Sequence, residues 1–271
     1  MDNPSPKPAV PASAKGCLSV QGNRDQVAAK SIVLIHPPVA KPCEPPAGIA
    51  RLAGALKSHG IGCTVIDANI EGLYDLLSRL RPPADTWSRR AYRHMDAHLA
   101  SLRSFDVYQS PDKYRRAVAD VNRLLSLAGR DLNIQVSLSN YEDDRLSPVR
   151  SADLLHAARH PEKNPYFHYF KARILPAVEA CRPHIVGLSI NFLSQALCGF
   201  VLIGLLKRTY PEIAITIGGG LVSSWLKRGD GHRPFSRWVD QMVSGAGEAA
   251  LIEAAGKRVE CTYHRPDYKD L

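Results

Sequence analysis

The chain has 271 residues and a formal net charge of +9, with 45% hydrophobic and 23% charged residues. This length and composition fit a globular protein with one full hydrophobic core plus an insertion, or with two small domains. No run of about 18 apolar residues occurs, which excludes a predicted transmembrane helix, and the first residues lack the apolar middle of a signal peptide. We therefore expect a cytoplasmic protein with no membrane span and with a disordered tail over residues 1–30.

The six cysteines are scattered along the chain. The closest pair, Cys181 and Cys198, is separated by 17 positions. This spacing fits neither a zinc ribbon nor a disulfide framework, so the sequence predicts buried or incidental thiols and no metal site.

Part of the positive charge lies in one middle segment. Between Arg79 and Arg116, nine Lys and Arg residues stand against four Asp residues. An excess of this kind attracts nucleic acid, anionic lipid or an acidic partner. The sequence shows no arrangement of exposed aromatic residues among the basic ones, and it has no zinc finger or RNA-recognition motif. We therefore interpret the segment as a solvated helical face and predict no nucleic-acid partner.

The first predicted element is a strand over residues 31–36, whose continuous apolar run is typical of a strand buried on both faces. A proline-rich loop follows, and apolar residues at helical spacing then predict a helix over residues 47–59 that stops at Gly60. Residues 63–67 form a second predicted strand. A strand, a helix and a strand within about 35 residues indicate a right-handed crossover unit.

Residues 72–165 have a different pattern, with helical spacing and little clustering of β-branched residues, and we interpret them as a helical insertion. Beyond it the alternation resumes, with predicted helices over 169–180, 194–209 and up to 255, and predicted strands over 184–190, 213–217 and 238–244. This order predicts an α/β domain over residues 31–256, with a doubly wound, mostly parallel, Rossmann-like sheet.

Ligands bind outside the carboxyl ends of the strands in such sheets, so four strand ends supply the candidate binding residues. These candidates are Pro37, Pro38, Ser189, Ile190, Asn191, Gly218, Gly219, Gly220, Gly245, Gly247 and Glu248. Glycine lets the backbone approach a flat or bulky ligand. Each loop alone also fits a simple turn, and a serine at a strand end also serves as a helix cap. Four such loops at one edge favour a binding site.

The sequence lacks the two common phosphate-binding motifs. No segment has the lysine of the Walker loop in place, and the first strand ends in prolines rather than in G-x-G-x-x-G. An enzyme acting on a nucleotide or sugar would also need a convergent acid/base pair, for which Asp67, Glu71 and Glu248 are available. Asp67 at a strand end is more typical of a residue that caps a turn.

The motifs taken in order resemble the N-terminal cobalamin-binding domain of cobalamin-dependent radical-SAM proteins. The resemblance covers residues 31–70 and 180–256, and its motifs are His36-Pro37-Pro38, Pro45-Pro46-Ala47-Gly48-Ile49 with Leu52, Ala53 and Leu56, the strand to Asp67, Val186-Gly187-Leu188-Ser189, Gly218-Gly219-Gly220 and Gly245-Ala246-Gly247-Glu248. It implies that the corrin ring lies across the carboxyl edge of the sheet and that the nucleotide tail enters a groove. By this resemblance, Ser189 is the serine after the third strand, Gly218 and Gly219 line the tail, and residues 245–248 form the last rim loop.

The sequence departs from two motifs of related proteins. The D-x-H-x-x-G motif that places an imidazole on cobalt in methylcobalamin-binding methyltransferases is absent. The resemblance therefore implies base-off cobalamin without a histidine ligand; His36, the nearest imidazole, is interpreted as a hydrogen-bonding residue of the core or rim.

The C-x-x-x-C-x-x-C motif for a 4Fe-4S cluster is also absent, and residues 257–271 resemble the linker that leads into the iron–sulfur barrel. We therefore expect a cobalamin-binding module of a methyltransferase-type system, whose partner is a separately encoded radical-SAM iron–sulfur protein. Two alternatives stay open. One is a non-catalytic interaction or regulatory domain that kept the fold without the cofactor, and the other is an independent enzyme that binds a nucleotide or sugar.

Overall fold

The structure is a computed structural model that describes residues 31–43, 45–229, 232–259 and 264–271. The predicted tail over residues 1–30 lies outside the described residues. The strands are β1 (Ile32–His36), β2 (Cys63–Asp67), β3 (Ile134–Val136), β4 (Tyr141–Asp143), β5 (Ile185–Ser189), β6 (Ala214–Gly218) and β7 (Gln241–Met242). The helices are α1 (Ala47–Ser58), α2 (Ala68–Ser78), α3 (Thr86–Arg93), α4 (Met95–Leu102), α5 (Phe105–Tyr108), α6 (Pro111–Ala128), α7 (Ser151–Arg159), α8 (Phe167–Tyr169), α9 (Leu175–Cys181), α10 (Leu193–Thr209), α11 (Gly220–Leu226) and α12 (Glu248–Ala254).

Five parallel strands form the central sheet in the order β2-β1-β5-β6-β7. Without the insertion this is the order 2-1-3-4-5 of a doubly wound sheet, whose direction of winding reverses between β1 and β5. Helix α1 packs on one face together with α12, and α10 packs on the other face. The predicted α/β, doubly wound, Rossmann-like fold is confirmed.

Each face of the sheet has its own core. Leu34 of β1 and Ile185 of β5 point to the α1 face, while Val33 and Val186 point to the α10 face. The α10 core is the larger of the two because it also includes side chains of α2, α6 and α7. Alternation along buried strands places successive residues on opposite faces, which accounts for this division.

The insertion between β2 and β5 is mainly helical, but it also contains the antiparallel hairpin β3–β4, which was not predicted. Ile134 and Val136 of β3 and Tyr141 of β4 are buried in the α10 core. Strands of three residues are too short to display a clear alternating pattern, so the packing of these side chains determines the hairpin.

The last strand is shorter than predicted. The sequence predicts a strand over residues 238–244, whereas β7 spans only Gln241–Met242. The backbone N–H groups of Trp238 and Val239 instead donate to the carbonyl of Phe235 at 2.8 and 2.9 Å, which continues a helical turn. Val239 is therefore buried directly after a turn rather than as part of a strand.

The segment His264–Leu271 packs along α1. The backbone N–H of Asp267 donates to the carbonyl of Ala50 at 2.9 Å, and Lys57 forms ion pairs with Asp267 and Asp270 at 2.8 and 2.9 Å. This is where the structure places the part of the predicted linker that it describes. Across the described residues, the helices are all too short or too polar to cross a bilayer.

Candidate functional site

A groove of about 390 Å³ opens on the α1 face of the sheet, at the carboxyl ends of β5 and β6. Its floor consists of small residues at alternate positions, Gly187 and Ser189 of β5 beside Thr216 and Gly218 of β6. The core on this face is formed by side chains of α1 and α12 among the described helices, and neither helix fills the space above these four residues. The groove exists because the floor residues are small and because the two helices cover this face of the sheet only in part.

Eight of the eleven predicted binding residues line this groove. They are Ser189, Asn191, Gly218, Gly219, Gly220, Gly245, Gly247 and Glu248. The structure thus brings together residues from three of the four predicted strand ends.

The other three predicted residues lie elsewhere. Ile190 is fully buried in the core on the α10 face, where its side chain lies close to Gly199. Pro37 accepts a hydrogen bond from Gln195 on its carbonyl, and Pro38 precedes the buried Val39. The loop after β1 therefore packs toward α10 and does not contribute to the groove lining.

The sequence did not identify one whole wall of the groove. Helix α1 supplies Gly48, Ile49, Arg51 and Leu52 to the lining. The apolar members of this set follow the helical spacing that predicts α1, and this spacing alone does not distinguish a core stripe from a pocket wall. The remaining lining residues that were not predicted are Leu34, Gly187, Leu188, Thr216, Ser223, Val243, Ala246 and Leu251.

The turn after β6 depends on glycine at position 219. Gly219 has a φ of +108°, and a Cβ atom there would lie 2.5 Å from the carbonyl oxygen of Ile190 and 2.8 Å from Oδ1 of Asn191. Asn191 also accepts a hydrogen bond from the backbone N–H of Gly220 at 3.1 Å and donates to Ser189 Oγ at 3.0 Å. The loops after β5 and β6 are therefore held in contact.

Ser223 connects the loops after β6 and β7. Its hydroxyl donates to the carbonyl of Gly219 and accepts from the backbone N–H of Gly245, both at 2.9 Å. Gly245 has a φ of +72°, in the region that favours glycine. Hydrogen bonds thus fix three neighbouring loops before any ligand binds, which lowers the entropic cost of binding.

A buried glutamine, not recognised from the sequence, joins the loops after β1 and β5. Gln195 is fully buried; its Oε1 accepts from the backbone N–H groups of Asn191 at 2.8 Å and Phe192 at 3.2 Å. Its Nε2 donates to the carbonyl of Pro37 at 2.7 Å. One side chain therefore holds the two loops that flank the point where the sheet reverses its winding.

The only charged pair of the described groove lining is Arg51 with Glu248, 2.8 Å apart. The pair links α1 to the first residue of α12, where a carboxylate is favoured by the helix dipole. The Arg51 side chain is 50% exposed and that of Glu248 11%, so the pair spans from the groove wall to solvent.

His36 does not belong to the groove lining. It is buried, and burial lowers its pKa to about 4, so the imidazole is neutral near pH 7. Its Nδ1 lies 3.5 Å from Nε2 of Gln195. His36 is thus a hydrogen-bonding residue of the core.

The three candidate carboxylates have separate partners. Asp67 caps α2 by accepting from the backbone N–H groups of Asn69 and Ile70, both at 3.1 Å, as its position at a strand end predicted. Glu71 accepts from the hydroxyl of Tyr169 at 3.0 Å, and Glu248 pairs with Arg51. The described part of the chain also contains no group of three or more His, Cys, Asp or Glu side chains placed to hold a metal ion.

The fold defines this chain as a doubly wound α/β protein with a groove at the carboxyl edge of its sheet. Comparison with known proteins found no family model, no curated protein and no solved structure that matches it.

Proposed function

We propose that this chain binds cobalamin, with the nucleotide tail in the groove and the corrin ring over the carboxyl edge of the sheet. The observation that carries this proposal is the groove itself. It opens beside the reversal point of the sheet, on a floor of glycine, serine and threonine residues. Eight residues that the sequence predicts at the strand ends line it.

The size and polarity of the groove fit one part of the cofactor. Ligand pockets typically occupy about 300–1,000 Å³, and the groove, at about 390 Å³, lies near the lower end of that range. This volume suits a heterocyclic base with its ribose, whereas the larger corrin ring has to remain outside. Apolar walls from Ile49, Leu52, Val243 and Leu251 suit a flat heterocycle.

The surroundings of His36 support binding without an imidazole on cobalt. This side chain is 6% exposed and faces Gln195, outside the groove lining. We therefore propose that cobalamin binds in its base-off form, without His36 as a ligand to cobalt.

When cobalamin is bound, the chemistry that it supplies is the transfer of a methyl group carried on cobalt. The protein supplies binding, orientation and access. The chain lacks the cysteine spacing for a 4Fe-4S cluster, so we propose that a separate radical-SAM iron–sulfur protein acts with it.

Titration of the purified full chain with hydroxocobalamin, followed by ultraviolet–visible absorption, tests the proposal. Gly48→Leu and Gly218→Leu are suitable blocking variants. A Cβ at Gly48 meets nothing within 4 Å, and one at Gly218 meets only Val243 at 3.7 Å or more, so a Cβ at either lining position leaves the backbone undisturbed. Gly62→Leu, where the nearest atom is 3.9 Å away and the site is outside the groove, is the matched control.

We expect saturable binding with a base-off spectrum, and at least a tenfold weakening, or about 1.4 kcal/mol, in both blocking variants but not in the control. Absence of binding by the folded wild-type chain refutes the proposal and favours an interaction domain. Substitution of Gly219 is unsuitable for this test, because the strain and the contact with Ile190 would perturb the fold directly.

The enzyme alternative has less support. A nucleotide- or sugar-processing site needs an acid and a base near the same reacting atom. Asp67 and Glu71 are engaged by α2 and by Tyr169, and among the described residues that line the groove the one carboxylate is Glu248.

A further inference from the structure

A second, smaller cavity of about 90 Å³ lies between strand β4, helix α7 and helix α10. It shares no lining residue with the groove. Part of its lining is apolar, with Ala157, Leu197 and Val201 all buried. The lining also contains four basic side chains, Arg145, His156, His160 and Lys163. Charges next to apolar walls interact more strongly than they do in water, because the local dielectric constant is low.

Tyr141, which lines this cavity, has a hydrogen-bond donor to spare. The residue is only 4% exposed, and its hydroxyl oxygen accepts from Nδ2 of Asn164 at 2.8 Å. Burial raises the pKa of Tyr141 well above its ordinary value, so the hydroxyl keeps its hydrogen. Among the described residues, that hydrogen has no acceptor within hydrogen-bond distance. Buried donors without an acceptor are rare in folded proteins, so this one is available to a bound group.

Asp143 supplies an available acceptor to the same cavity. Its side chain is only 5% exposed, and its Oδ1 accepts from the backbone N–H groups of Arg145 at 2.8 Å and Leu146 at 3.2 Å. Its Oδ2 has no hydrogen-bond partner in the part of the chain that the structure describes. The cavity therefore combines one spare buried acceptor with one spare buried donor.

The basic side chains add further donors. The rings of His156 and His160 lie one helical turn apart, with 4.5 Å between centroids, and even a neutral imidazole donates one N–H. His160 lies 3.4 Å from Glu162, which is outside the cavity lining. Lys163 is exposed and has no carboxylate within 4 Å among the residues described. Arg145 donates to the carbonyl of Leu132 at 3.0 Å, which holds its guanidinium in place.

We propose that this cavity binds a phosphate that retains a hydrogen on one of its oxygens. The basic side chains and Tyr141 donate to the unprotonated oxygens, and Oδ2 of Asp143 accepts the hydrogen of the remaining one. Sulfate has the same shape but carries no hydrogen near pH 7, so its lone pairs would face the carboxylate of Asp143 and disfavour binding.

The size of the cavity fits this ligand. One water molecule takes about 30 Å³ of liquid, so a space of about 90 Å³ suits a group of a few non-hydrogen atoms, such as a tetrahedral oxyanion. The cavity belongs to the insertion and to α10, and the inference does not depend on cobalamin binding.

Isothermal titration calorimetry of the purified full chain tests the inference, with sodium phosphate near pH 7 and with sodium sulfate at the same ionic strength. The variants are Lys163→Gln, Tyr141→Phe and Asp143→Asn. Lys171→Gln is the matched control, since Lys171 is also exposed but lies outside the cavity lining. Circular dichroism and thermal melting verify that each variant is folded, and the exposed position of Lys163 makes its variant the safest in this respect.

We expect one phosphate to bind per chain, more tightly than sulfate. Lys163→Gln and Tyr141→Phe should each weaken phosphate binding about tenfold, the size typical of a lost hydrogen bond to a charged group, while Lys171→Gln should leave it unchanged. Asp143→Asn keeps an oxygen for the two backbone N–H groups but turns the spare acceptor into a donor, so this variant should lose the preference for phosphate over sulfate.

A titration with glycerol 3-phosphate distinguishes the source of the phosphate. Tighter binding than that of the inorganic ion assigns the site to a phosphorylated small molecule, and weaker binding assigns it to the free ion; both agree with the proposal. No saturable phosphate binding by the folded wild-type chain, tighter binding of sulfate, or equal weakening by Lys171→Gln and Lys163→Gln would overturn it.

Discussion

Replacing Gln195 by leucine should destabilise the protein and loosen two loops of the candidate site. Leucine keeps a similar buried volume but removes the acceptor for the N–H groups of Asn191 and Phe192 and the donor to the carbonyl of Pro37. These three hydrogen bonds are 2.7–3.2 Å long, and Gln195 is fully buried, so the variant has no equivalent partners to offer.

The expected loss follows from the exposure of each partner. The Pro37 carbonyl is buried, and an unsatisfied buried polar group costs about 1–3 kcal/mol. Asn191 is half-buried and Phe192 is exposed, so water can replace part of their lost bonding, at a net cost of about 0.5 kcal/mol each. The free energy of unfolding should therefore fall by about 3 kcal/mol.

Urea unfolding followed by circular dichroism measures this loss, and Gln135→Leu on the exposed edge of the hairpin is the control, with an expected change within about 0.5 kcal/mol. Hydroxocobalamin titration at a urea-free reference condition reports whether the loops still support binding. If the free energies of unfolding of Gln195→Leu and the wild type differ by less than about 0.5 kcal/mol, with the same dependence on urea concentration, the role assigned to this side chain is wrong.

Three further predictions concern stability. Burial lowers the pKa of His36 from 6.5 to about 4, so between pH 6.5 and pH 4 the unfolded chain binds a proton that the folded chain does not. The free energy of unfolding should therefore fall by about 3 kcal/mol as the pH drops from 6.5 to 4. Urea unfolding at several pH values measures this fall, and His36→Gln should flatten the profile. Arg51→Ala should cost less than about 1 kcal/mol in thermal unfolding, since the guanidinium is half exposed, and a loss above about 2 kcal/mol would show that the ion pair matters more than its exposure implies. Gly204→Ala should lower the free energy of unfolding by about 2–3 kcal/mol, because the added Cβ would collide with the carbonyl of Ala158. Gly48→Ala, where the added Cβ has open space, should be neutral or stabilising. Equal melting temperatures for the two variants would contradict the contact between Gly204 and Ala158.

The sheet was predictable because its strands are buried on both faces. The apolar run of β1, the spacing of α1 and the β-branched strand β2 each carry a strong local signal, and the observed bounds differ from the predicted ones by one residue or less. The hairpin β3–β4 and the short β7 depend on tertiary packing instead. Their backbone pairing is limited to two or three residues, so the local pattern carries little information.

The candidate site was predictable where it involves the residues that directly follow the strands. Gly219 and Gly245 have positive φ values, a requirement that leaves a trace in the sequence. The α1 wall and Gln195 left no such trace. An apolar helical stripe has the same sequence pattern whether it packs in a core or lines a groove. Gln195 bonds to Pro37, which is distant in the chain, so no local pattern reveals this contact.

The packing of the His264–Leu271 segment along α1 has a practical consequence for work with this protein. Helix α1 lines the groove on one side and packs against residues 264–271 on another. That segment passes so close to the helix that a side chain at Gly54 would collide with the carbonyl of Arg265. Leu271 itself packs against the core on this face. A fluorophore attached within residues 264–271 would disturb the support of one groove wall, so a label outside this segment is the better choice for binding measurements.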